Sequence, residues 1–91
     1  MEYRKEIYQY LLDQKVDSSK IGYLYLATAI ELGLNNLENL YFIMKLYGAI
    51  AEKYNTKAAS IGKSISDVLR ASGVTGKEFI SDAVYRIMYQ N

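Results

Sequence analysis

Apolar residues recur along this chain at helical spacing, and short polar breaks separate the runs. From Glu2 to about Gln14, Tyr3, Ile7 and Tyr10/Leu11 fall on one face at i, i+4 and i+7/8. The break DSSK (Asp17 to Lys20) offers oxygens that could cap a following helix. That helix runs through IGYLYLATAIEL and is expected to stop near Gly33. Its apolar residues cover more than one face, which predicts the central, most buried helix, with Tyr23 and Tyr25 packing as amphipathic side chains. Asn35 and Asn36 offer the next cap, ahead of LENLYFIMKLY, where Leu37, Leu40/Tyr41 and Met44 share a side. Gly48 predicts a bend or break, since glycine costs roughly 1 kcal/mol relative to alanine inside a helix. A short helix through AIAEKY, a turn at Asn55-Thr56, a helix from about Lys57 to Ala71 and a stop at Ser72-Gly73 follow.

Thr75 and Glu78 have the T-x-x-E spacing of a capping box and predict the start of the last helix. Two adjacent rows run along it, Phe79, Ala83, Ile87 and Ile80, Val84, Met88. So broad an apolar face must pack deeply, in the core or against another copy of the chain. Strand periodicity is confined to GYLYLAT, which lacks the β-branched content and turn residues of a hairpin. The expectation is an all-α domain over residues 1–91, a compact bundle of five or six helices.

Composition narrows the function more than the fold. The 91 residues include no Cys and no His, which excludes disulfides, Cys/His metal sites and catalysis built on either residue. No calcium-loop spacing, GxxxxGK turn or GxSxG elbow is present, so neither an enzyme nor a cofactor nor a small-molecule substrate is expected. No apolar run approaches the roughly 18 to 20 residues that span a bilayer. The start MEYRKEIYQY carries acids and tyrosines where a secretory signal would be basic and then smoothly apolar, and the reading is cytoplasmic, with no membrane partner.

Net charge is +1, unevenly placed. Up to Met44 there are four bases and six acids, and from Lys45 onward seven bases and four acids. Between Lys53 and Lys77 five bases face one acid, Asp67. Such a stretch suits phosphates, though a solvated helix face has the same composition.

The same stretch carries the residues that a helix-turn-helix demands. Ala51 is small where a second helix would cross the first. Four positions later Asn55 can take the left-handed turn conformation, in which asparagine is the best choice after glycine. Ile50, Tyr54, Ile61 and Ile65 are spaced to flank the elbow on its inner side, and Thr56 or Asn55 could cap the second helix.

The runs IGYLYLATAIELGLNN, LYGAIAEKYNTKAASIGKSI and KEFISDAVYRI resemble the C-terminal DNA-binding effector domain of the master response regulator of endospore formation, the stage 0 sporulation protein A family. The GYLYL block, the A-I-A-x-K-[YF]-N-T turn and the E-F-I start of the last helix carry the resemblance, which extends from about Ile21 to Ile87. It implies an all-helical fold with a helix-turn-helix, major-groove recognition of a short promoter element and tandem dimers on DNA. Two departures limit what it implies. A receiver domain precedes the effector in that family, and here the expectation is a stand-alone, shortened form that no attached receiver regulates. Where the family's recognition helix directs two arginines, a glutamate and a histidine toward DNA, this chain has Ser60 and Lys63, Gly62, and Asp67. Only Lys63 keeps the chemistry, so the family's sequence preference is not expected to transfer.

Two functions follow from one helix. As a DNA-binding regulator, the chain would set Lys53, Lys57, Lys63 and Lys77 against phosphates, and Ala59, Ser60, Gly62 and Ser66, with Ala58, against bases or sugar edges. Specificity would be altered or weak. As a protein-interaction module, acting in dimerisation or as antagonist of a related regulator, it would use the small-residue stripe Ala58, Gly62, Ser66 for close helix packing, unless that stripe is simply covered within the molecule. A homodimer is expected under both.

Overall fold

The computed structural model describes residues 3–90 and contains five α-helices and two 3-10 segments, with no strand among the described residues. The helices are α1 (Arg4–Asp13), α2 (Ile21–Asn35), α3 (Ile43–Lys53), α4 (Ala58–Leu69) and α5 (Gly76–Tyr89). The expected start of α1 at Glu2 lies outside the described residues.

Helix α2 is the centre, as its two-sided apolar pattern implied: α1, α3, α4 and α5 all pack on it. Leu26, Ala29 and Ile30 are wholly buried, and around them close Ile7 and Leu11 of α1, Leu46 and Ile50 of α3, Ile61 and Ile65 of α4, and Ile80, Ala83 and Val84 of α5. Both rows of α5 therefore face the chain's own core, apart from the half-buried Met88 at their end. Tyr23 and Tyr25 pack as partly buried rings, Tyr23 stacked on Tyr8 at 5.9 Å and Tyr25 tilted against Tyr54 at 5.5 Å.

Two polar links join elements distant in sequence. Tyr10 Oη of α1 donates to Asp82 of α5 at 2.5 Å, and Arg86 Nε reaches the same carboxylate oxygen at 2.9 Å. The hydrogen bond from Tyr10 holds the Asp82 carboxyl below the usual carboxylate range, with Arg86 adding to it. The second link holds the end of α3. Thr28 Oγ1 spends its single proton on the Leu24 carbonyl at 3.0 Å, so Tyr54 Oη donates to Thr28 at 2.9 Å.

Several expected boundaries are corrected. No side chain of DSSK caps α2: Lys20 is the N-cap, and Asp17 instead accepts from the amide and hydroxyl of Ser19. Gly33 does not end α2, which continues to Asn35. It is buried where a Cβ would meet Val84 Cγ2 at 2.8 Å and Leu40 Cδ2 at 3.0 Å, so packing explains it. The helix closes on other groups, with the Asn36 amide and Asn39 Nδ2 both donating to the Leu32 carbonyl.

The third run is not one helix. Leu37–Leu40 forms a 3-10 turn, capped by the Asn36 side chain accepting from the Glu38 amide, and α3 begins only at Ile43. The break thus falls at Tyr41-Phe42 and not at Gly48, which sits inside α3 with open space beyond it. Leu40 turns inward while Tyr41 and Met44 stay exposed, because the change of helix type removes the shared face. Neither Thr56 nor Asn55 caps α4, whose N-cap is Lys57 without a side-chain bond. At its far end α4 stops at Leu69 and a 3-10 turn, Arg70–Ser72, leads to left-handed Gly73. The capping box of Thr75 and Glu78 is formed in full.

Candidate nucleic-acid interface

The turn between α3 and α4 is built from backbone. Asn55 is left-handed, with φ of 56°, and two bonds close the end of α3: the Thr56 amide to the Ala51 carbonyl at 2.8 Å and the Asn55 amide to the Glu52 carbonyl at 3.4 Å. This is the paired bonding of a Schellman cap, which reverses the chain within two residues. Ala51 and Ile50 are buried beneath it. On the far side, Ile61, Ile65 and Leu69 turn the apolar edge of α4 into the core, a spacing of four that defines an inner stripe.

That burial determines which side chains of α4 face outward. At 100° per residue Lys63 stands opposite Ile61 and Ile65, and Ala59, Ser66 and, just past the end of α4, Arg70 form one strip with it; all four are exposed. Ser60, exposed, and Asp67, half-buried, border the strip on one side, and half-buried Gly62 borders it on the other. A Cβ at Gly62 would lie 3.4 Å from Tyr47 Cε2, an ordinary contact, so this glycine stands beside the α3 ring. Ala58 packs against the core. Of the stripe Ala58, Gly62, Ser66, only Ser66 is fully open.

Three further lysines lie on the flanking elements. Lys53, at the end of α3, lies with its Nζ 5.6 Å from the Tyr54 ring centre, and Lys57 immediately precedes α4; both are exposed. Lys77 is also exposed, in the first turn of α5. Its neighbour Gly76 sits against Tyr47 Oη, so Tyr47 is the group that brings the start of α5 toward the Gly62 border.

Arg70 is the residue that the reading of the chain left out of the site. It counts in the basic run, yet its place seven residues after Lys63 and eleven after Ala59 is the signal that puts it on the same strip. Its Nη2 lies 2.5 Å from Asp67 Oδ1, with the Arg70 side chain largely in solvent and that of Asp67 half-buried. Beside them a depression of about 510 Å³ is completed by Lys20, Ile21, Gly22 and Ser64.

Small residues and cations on one exposed helical strip, held by a tight turn and a buried inner stripe, can approach a polyanion closely. No group of three or more His, Cys, Asp or Glu side chains suited to a metal occurs among the described residues. No helix there is long and apolar enough to cross a membrane. The sequence also matches the model of a known family over residues 7–91, nearly its whole length, and the description of that family is sporulation initiation factor Spo0A C terminal. The chain thus belongs to the Spo0A C-terminal family, a family of DNA-binding effector domains.

Proposed function

We propose that residues 1–91 act as one helix-turn-helix domain that binds double-stranded DNA in the cytoplasm, laying α4 in the major groove. The observation that carries this is the exposed strip Ala59, Lys63, Ser66, Arg70, with Lys53, Lys57 and Lys77 exposed on the flanking elements. The lysines contact phosphates, while Ala59, Ser60, Gly62 and Ser66 let the helix approach base and sugar edges without adding a strong reader. Specificity is altered relative to the family, because the position of one family arginine is Ser60 and that of the glutamate is Gly62.

Fluorescence anisotropy on a mixed-sequence duplex at several salt concentrations tests this reading. Four phosphate contacts predict a slope of log affinity on log salt of about −3 to −4, and Lys63→Ala should reduce it by about one. No binding near about 50 mM salt, or a response indifferent to salt, would contradict it.

A second reading, a protein-interaction module, draws little from the stripe Ala58, Gly62, Ser66, since Ala58 and Gly62 stand against the chain's own packing. It draws more from Tyr41, Phe42 and Met44, three neighbours each more than 60% exposed. The homodimer expected under either reading would use these side chains. Light scattering of the intact chain and of Phe42→Asp tests it: a dimer that the substitution dissociates supports the patch, and a monomer throughout removes it.

A further inference from the structure

The geometry points to Arg70 and Asp67 as a base-specifying pair that selects a G·C base pair at the far end of the α4 strip. This rests on the proposal that the strip lies in the major groove, and names what gives that contact sequence preference.

Arg70 carries the only guanidinium on the strip, and its side chain is 79% exposed. It stands one turn beyond Ser66, about 6 Å along the axis, in line with Ala59 and Lys63. Ala59 and Ser66 are too short to reach far into a groove, and Lys63 is a point charge. Only Arg70 presents the planar fork that matches the O6 and N7 acceptors of guanine.

Asp67 distinguishes base reading from phosphate binding. Its Oδ1 accepts from Arg70 Nη2 at 2.5 Å, which fixes the fork while leaving its other N–H groups free. A carboxylate this close would repel a phosphate that Arg70 was meant to hold. Against base edges it is an asset. Across the major groove a G·C pair presents two acceptors on guanine and then the N4 amino donor of cytosine. Arg70 and Asp67 offer donors followed by an acceptor, the complementary order. An A·T pair offers the fork no second acceptor next to adenine N7, because the N6 amino group there is a donor.

Selection of bound duplexes from a randomised pool, followed by titration of the best duplex and its G·C→A·T variants, tests the inference on the full chain. The intact protein should prefer G·C at one position by on the order of 10- to 100-fold. Arg70→Ala should collapse that ratio while leaving preference elsewhere unchanged. Asp67→Ala should also lower it, although removing an acid leaves affinity for mixed DNA unchanged or raised. Both side chains are on the surface, and circular dichroism of each variant confirms the fold. Uniform weakening of every duplex by Arg70→Ala, with the salt slope reduced by about one, would make Arg70 a phosphate contact and overturn the inference. So would a G·C preference that survives Asp67→Ala, or an intact chain that binds without preference. An intact chain that binds no duplex overturns the underlying DNA reading instead.

Discussion

Gly22, the glycine of the GYLYL block, marks the closest approach of α2 to α4, and Gly22→Ala measures how tightly α4 is held. A Cβ there would collide with the Ser64 carbonyl oxygen, and would lie 3.0 Å from both the Ser64 carbonyl carbon and Val68 Cγ1. Ordinary carbon contacts begin near 3.4 Å, and here the obstacle is the backbone of a helix interior, which no rotamer change can clear. The two helices must therefore separate along the most extensive helix contact in the molecule. Overpacking of this kind costs about 1–3 kcal/mol, offset by at most about 1 kcal/mol of helix propensity. The net change runs from about neutral to a loss of about 2 kcal/mol, lowering Tm by up to roughly 16 °C in a domain of this size. Gly48→Ala is the control, because nothing lies within 4 Å of its Cβ. The same chemical change there should raise stability by about 0.5–1 kcal/mol. Urea unfolding followed at 222 nm, with the slope m unchanged, reads both. If Gly22→Ala gains stability as Gly48→Ala does, α2 and α4 are not in backbone contact at Gly22.

The remaining expectations concern single links. Asn55→Gly should be neutral or mildly stabilising and Asn55→Val should lose about 1–2 kcal/mol, since the left-handed turn is strained for a β-branched residue; equal losses in urea would mean another residue makes the turn. Thr75→Ala should cost about 1 kcal/mol in the same assay, with Thr75→Ser close to the intact chain, if the capping box holds α5. Asp82 gives an acid dependence. Its carboxyl titrates below the usual range in the folded chain, so its contribution is present above the ordinary carboxylate pKa of about 4 and disappears as pH falls through the lower folded-state value. Asp82→Asn should accordingly lose less of its urea midpoint than the intact chain between about pH 5 and pH 2, and parallel profiles would show that the Tyr10 link contributes nothing.

What the chain reveals about its fold divides by the range of the forces involved. The capping box needs only Thr75 and Glu78, three residues apart, and it forms as their spacing requires. Asn55 turns because few other residues tolerate that conformation, and Ala51 lies buried below it. The glycines behave differently, because each one's role depends on what lies opposite. Gly33 reads as a terminator and is a packing site against Val84 and Leu40, while Gly48 reads as a break and is an uninterrupted helix position. The true interruption at Tyr41-Phe42 contains neither glycine nor proline. It follows from Asn36 and Asn39, whose side chains bond the Glu38 amide and the Leu32 carbonyl and divert the chain into a 3-10 turn. Nothing in local propensity distinguishes these asparagines from Asn35 beside them.

The candidate site is legible to the same degree and for the same reason. Ile61, Ile65 and Leu69 settle by periodicity which edge of α4 is buried, and the side chains opposite them are exposed except for half-buried Asp67. The resemblance singles out Ser60, Gly62, Lys63 and Asp67, and the buried stripe leaves Ala59, Ser66 and, past the end of α4, Arg70 on the outer face beside them. Gly62 is drawn to the border by Tyr47, and Asp67 becomes the partner of a residue three positions further on. The early turns of α4 carry small residues, with Lys63 at its middle and Arg70 just past its end. On the proposed DNA reading, a helix so arranged lies close to a groove along its first half and has its guanidinium only beyond its last turn. On that reading Ser60, where the resemblance implies an arginine, and Arg70 together move base reading from the early turns of the helix to its end.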